Sequence, residues 1–176
     1  FDTNNVPVPD IFPDDLSSTI LDAPFRSIND YEYLIGQDPD NATVYIELSL
    51  IYSLIGDYNN ALKNLSRAAL IDPLNPEVQL LSAKNRIWKG DAVEGLRAYE
   101  RLLQIDPSQV NVWAEAGKVA AWIGKYRDSI QFYRAGSREF PDELNLIVNL
   151  GITYLWDNQA DQAEVMFDTA ARIAFE

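Results

Sequence analysis

The sequence predicts an all-α protein, a solenoid of stacked helix-turn-helix repeats with about nine helices. Three observations predict it. Prolines recur at an offset of 34 residues, as Pro39, Pro73, Pro107 and Pro141. Gly56, Gly90 and Gly124 recur at the same offset, with Asn158 next in the series. Small and large residues alternate in phase with both, Ala61, Gly95, Ser129 and Ala163 each standing four residues before Leu65, Tyr99, Tyr133 and Phe167. A period of roughly 20–50 residues marks a repeat array, in which each unit covers the apolar face of its neighbour.

Residues 1–23 carry Pro7, Pro9 and Pro13 among Asp and Asn, which disfavours a helix and predicts an extended Pro/Asp-rich leader. Two readings of it stand: a solvated tail, and a segment packed along the solenoid through Val6, Val8, Ile11 and Phe12. In residues 24–41 the apolar positions Phe25, Ile28, Tyr31, Leu34 and Ile35 have helical spacing, and Asp38-Pro39 ends the helix. This is the second helix of a half-repeat. Four units follow, at 42–75, 76–109, 110–143 and 144–176, each predicted to hold two helices of about 14 residues around a turn. The turn centres on Gly56, Gly90, Gly124 or Asn158, residue types that tolerate a left-handed backbone. A second small set, Ser49, Ala83, Gly117 and Gly151, lets paired helices approach closely.

The chain has 27 acidic and 14 basic residues, a net charge of −13. That balance argues against nucleic acid or an anionic membrane surface as partner. The charge is uneven: through residue 41 nine acidic residues face Arg26 alone, leaving a net of −5 for the remainder. Without Cys there is no disulfide or thiolate chemistry, and without His the commonest general base and zinc ligand is missing. No catalytic residue, metal site or cofactor is expected. The 38–43 stretch superficially suggests a calcium loop, but Ala42 and Ser49 stand where ligands are needed, so it reads as a turn. Two formal glycosylation sequons, at Asn41 and Asn64, read as chance. No apolar run of ~18 residues suits a membrane span. Phe1 in place of Met reads as a processed or trimmed start.

These residues resemble the tetratricopeptide repeat family. Its pattern is carried by Trp113, Ala116, Gly117, Ala120, Ser129, Tyr133 and Pro141 in the third unit, and by Tyr45, Leu48, Ser49, Tyr52, Ala61, Leu65 and Pro73 in the first. The fourth unit supplies Ile147, Leu150, Gly151, Tyr154, Ala163 and Phe167, whereas the second departs, with Gln79, Ser82 and Arg86 at usually apolar places. The resemblance implies a right-handed superhelix whose first helices line a concave groove. Family groove positions carried onto this sequence include Leu54, Lys84, Trp88, Asn111, Lys118, Trp122, Asn145 and Trp156. They depart from the Lys and Asn set by which chaperone-cofactor members hold a C-terminal carboxylate, and that function is not carried over.

Trp88, Trp122 and Trp156 share one repeat position, and two readings of them stand. One is core packing beside the turn; the other is an aromatic ladder on the groove, where rigid amphipathic rings anchor a partner. Lys84 and Lys118, one turn earlier, are either solvated or face an acidic ligand, and Asn111 and Asn145 either hold a peptide backbone or cap a helix. The expected function is a non-enzymatic scaffold for a protein or peptide segment. The alternative is a structural or assembly region of a larger bacterial envelope protein, such as a periplasmic part of an export complex. A soluble chain in bacterial periplasm or cytoplasm fits either. Self-association is expected through the leader, or through the last repeat, whose face includes Met166, Phe167 and Ile173.

Overall fold

A computed structural model of the chain describes residues 26–175; the leader expected over residues 1–23 lies outside the described residues. Nine α-helices and no strand occur among the described residues. They are α1 (Ile28–Gln37), α2 (Ala42–Leu54), α3 (Tyr58–Ile71), α4 (Pro76–Lys89), α5 (Ala92–Ile105), α6 (Val110–Trp122), α7 (Tyr126–Glu139), α8 (Leu144–Trp156) and α9 (Ala160–Phe175). First helices of successive hairpins therefore begin at residues 42, 76, 110 and 144. Contacts divide the chain into two compact units, one ending at Ala98 and the other taking up the chain at Tyr99, a boundary inside α5.

Each turn is closed by the same backbone device. Gly56, Gly90 and Gly124 adopt φ of 77°, 103° and 77°, and Asn158 adopts 56°. After each, an amide reaches back five residues: Asp57 to Tyr52 O, Asp91 to Arg86 O, Lys125 to Ala120 O and Gln159 to Tyr154 O, all at 2.8 Å. The left-handed residue itself donates to the next carbonyl, as Gly56 does to Ser53 O. This pair of bonds is the Schellman motif, and it stops the first helix while pointing the chain into the second.

A second recurring bond locks the first three hairpins to the chain before them. Tyr45 Oη donates to Pro39 O at 3.2 Å, Gln79 Nε2 to Pro73 O at 3.3 Å, and Trp113 Nε1 to Pro107 O at 2.8 Å. Three side chains of different type, 34 residues apart, bond the equivalent proline carbonyl just past a helix end. Gln79, an outlier in the repeat pattern, thus performs its neighbours' polar task.

In the unit ending at Ala98, one core gathers Ile46, Leu65, Ala68, Val78 and Leu81, and a second gathers Tyr31, Val44 and Leu48 under α1. The α1 helix opens on a capping box in which Ser27 and Asp30 satisfy each other's backbone amides. Buried Ser53 Oγ donates to Asn85 Oδ1 at 2.8 Å, and the Asn85 amide donates to Leu81 O at 2.9 Å. Gly95 is required because a Cβ would stand 2.3 Å from Ile87 Cγ1.

The unit from Tyr99 onward packs Ile130, Tyr133, Leu146, Leu150, Tyr154 and Ala163, with Trp113 and Met166 against them. Here glycine meets an aromatic ring. A Cβ on Gly117 would lie 2.6 Å from the Tyr133 ring, and one on Gly151 would lie 2.7 Å from the Phe167 ring. The rings lie directly on the helix backbone, which is how close helix approach fills space without a void. Phe167 nonetheless stays 36% exposed, unlike its buried counterparts Leu65, Tyr99 and Tyr133.

Candidate partner-binding site

Leu54, Trp88, Trp122 and Trp156 share one repeat position in the last turns of the first helices, and their surroundings differ. Trp88 is half-buried, packs on the Ile46 and Leu65 core, and lies 6.0 Å from the Tyr58 ring with planes tilted by 41°. Trp156 is 46% exposed, although it makes the matching contact with Tyr126 at 6.1 Å and 43°. Tyr58 and Tyr126 are the first residues of α3 and α7, so each Trp stacks on the helix that precedes its own. Trp122 is half-buried, and Leu54 is 38% exposed. With Leu155 at 49%, the end of α8 carries an apolar patch open to solvent.

The other expected groove residues are spread over several environments. Lys84 and Lys118 are half-buried. Asn111 and Asn145 are exposed and sit within the first turns of α6 and α8, whose N-cap positions are Gln109 and Glu143. Neither asparagine caps its helix; Asn145 Oδ1 instead accepts from the Asn149 amide one turn on. No cluster of acidic side chains that could hold a metal ion occurs among the described residues. No described helix is long and apolar enough to cross a membrane.

Two buried tyrosines flank Glu115 on α6. Tyr99 Oη is 3.5 Å from Glu115 Oε2, and burial pushes the Tyr99 hydroxyl well above its ordinary range, with the Glu115 charge adding to the effect. Burial raises Tyr133 in the same way, again with Glu115 contributing. Both phenols are therefore held neutral, as core groups are.

Repeat-pattern reasoning missed a basic cleft. Arg127, Gln131 and Arg134 of α7, together with buried Ile130 and Tyr154, line a space of about 530 Å³ that Asp157, Gln159 and Gln162 complete. A smaller one of about 260 Å³ follows α7 past Arg134 to Arg138. Its sequence signal is an i, i+7, i+11 series of arginines on a second helix, whereas the family groove positions lie on first helices.

Comparison with known proteins matches one repeat to a family. Residues 42–73 match the tetratricopeptide repeat. The match falls on the first of the four full repeats predicted from the sequence. Among solved structures it is similar to a MamA protein, at 19% identity and TM-score 0.74, over 93% of this chain and 88% of that one. It is similar to residues 41 to the end of MamA from Desulfovibrio magneticus RS-1, at 12% identity and TM-score 0.74, over 91% and 92%. A third likeness is to YrrB, described as a tetratricopeptide repeat protein with an unusual peptide-binding site, at 17% identity and TM-score 0.69, over 92% and 79%. At these identities the likeness is one of fold. No curated protein matches the chain.

Proposed function

We propose that this protein is a non-enzymatic tetratricopeptide repeat scaffold that takes a peptide segment of a partner protein on its first-helix face, with Trp156 as the principal anchor. The observation that carries this reading is the exposed apolar end of α8, where Leu155 and Trp156 are 49% and 46% exposed. A large amphipathic ring held at one edge by Tyr126 loses little freedom on binding, which suits an interface anchor. Trp122 extends the anchor position to the preceding repeat of the same unit, and Lys118, Asn111 and Asn145 supply polar contacts to the segment. The fold shared with YrrB, whose described peptide-binding site belongs to that protein, supports the same class of ligand.

Capture of partners from the native source, read by mass spectrometry, tests the proposal. Trp156→Ala is expected to remove the specific partner while the helical circular dichroism stays unchanged, and Trp156→Phe to retain part of it. Undiminished capture by a folded Trp156→Ala protein would overturn the reading.

A further inference from the structure

The α7 helix departs from the charge of the chain around it. The helix holds Arg127, Arg134 and Arg138 against Asp128 and Glu139, with Lys125 just before it, in a protein of net charge −13. Lys125 is engaged with Asp128 at 3.6 Å. The three arginines are exposed, and among the described residues none makes an ion pair. At 1.5 Å of rise per residue, Arg127 and Arg134 stand about 10 Å apart along the helix, and Arg138 follows about 6 Å further on. Between the first two lies the cleft with buried Ile130 and Tyr154. Its one carboxylate, Asp157, already accepts from the Gln159 amide.

Arginine forks grip carboxylates in bidentate pairs, and they are less hydrated than lysine ammonium groups. The spacing fits an extended chain with carboxylates three or four residues apart, since at 3.1 Å per residue those spans are about 9–12 Å. Apolar side chains between the carboxylates would meet Ile130 and Tyr154.

This sequence itself contains the matching segment. Asp10, Asp14 and Asp15 bracket Ile11, Phe12 and Pro13, in the region where nine acidic residues face a single Arg. We propose that the arginine cleft of α7 binds residues 10–15 of a second copy of this chain. The cleft borders the end of α8 through Tyr154 and Asp157 but is not lined by Trp156, so it does not depend on the anchor reading.

The test is light scattering on the full chain over a range of concentrations, at about 50 mM and about 500 mM salt. The expected mass rises above that of one chain at low salt, and the association weakens about tenfold in high salt. Arg127→Gln/Arg134→Gln/Arg138→Gln and Asp10→Asn/Asp14→Asn/Asp15→Asn should each weaken it to a similar extent. Mixing Arg134→Asp with Asp14→Arg protein should restore it. Trp156→Ala should leave the mass unchanged. If the arginine variant loses helix content, the asparagine variant decides, because residues 10–15 precede the first described helix. A one-chain mass at every concentration, or a larger mass that neither variant alters, overturns the proposal.

Discussion

Trp88 and Trp156 occupy the same repeat position and make nearly the same ring contact, yet one belongs to a core and the other to a surface. Tyr58 meets Trp88 at 6.0 Å, and Tyr126 meets Trp156 at 6.1 Å. The difference lies in what else surrounds each ring. Trp88 also packs against the Ile46, Leu65 and Ala68 cluster, whereas Trp156 keeps 46% of its surface open. Periodicity thus fixes where a side chain stands, while the neighbouring helices decide whether it serves packing or recognition.

Truncation separates the two roles most sharply. Trp88→Ala removes a large apolar group from a packed cluster and is expected to cost about 3 kcal/mol. Trp156→Ala, which loses one ring contact at the surface, is expected to cost about 1 kcal/mol. Urea unfolding followed by circular dichroism measures both. Equal losses would mean that Trp156 is a core residue, and the anchor proposed for it would fail.

The two units also solve close helix approach differently. At corresponding positions the first uses Ser49 with Leu65, while the second sets Gly117 under Tyr133 and Gly151 under Phe167. Gly117→Ser would place a side chain 2.6 Å from the Tyr133 ring, and overpacking of this kind should cost about 2 kcal/mol. Adding Tyr133→Leu reproduces the solution of the first unit and should recover most of the loss. Such coupling, measured as a double-mutant cycle, distinguishes a steric clash from a simple change in helix propensity.

Much of this architecture was legible in the sequence because it rests on local chemistry. The positive φ of Gly56, Gly90, Gly124 and Asn158, and the burial of Ala61, Ser129 and Ala163, follow from residue types at fixed offsets. Tetratricopeptide repeat assignment and the all-α fold followed with them. Gln79 was harder to read, because its value lies in the bond to Pro73 O and not in hydropathy. Arg86 is a real departure: it stands where other repeats have Tyr52 and Tyr154, and its Nε is buried without a hydrogen-bond partner. The exposure of Trp156, the burial of Trp88 and the arginine cleft depend on how neighbouring helices meet. A one-dimensional pattern carries little of that.

Helix starts give a smaller contrast between the units. Asp57 opens α3 by accepting from Asn60 N at 3.1 Å, but Lys125 opens α7 with no side-chain cap. Lys125→Ser would place Ser three residues before Asp128, the spacing of the capping box that Ser27 and Asp30 already form. The expected gain is about 1 kcal/mol, against the minor loss of an exposed ion pair. A rise in the thermal midpoint checks it; no rise would show that the Schellman turn alone determines the start of α7.

Acid titration should have the smallest effect and should also differ between the caps. The Asn60 backbone amide, and then its side-chain amide, hold the Asp57 carboxyl below its ordinary value of 3.8. A carboxyl depressed in the folded state stabilises the fold above its unfolded pKa, and that contribution is lost as pH falls through the folded value. Asp30, bonded to Ser27, and Asp106, bonded to Ser108 and Gln109, follow the same sign. Stability should therefore be flat above about pH 5 with respect to these three groups, and should decline below about pH 4. Asp57→Ser retains an acceptor for the α3 amide but cannot titrate, so its thermal midpoint should fall less than that of the parent between about pH 4 and pH 2. The amide resonance of Asn60 reports the same event directly: its pH midpoint should lie below 3.8, and a midpoint at or above that value would show that the cap does not favour the ionised carboxyl.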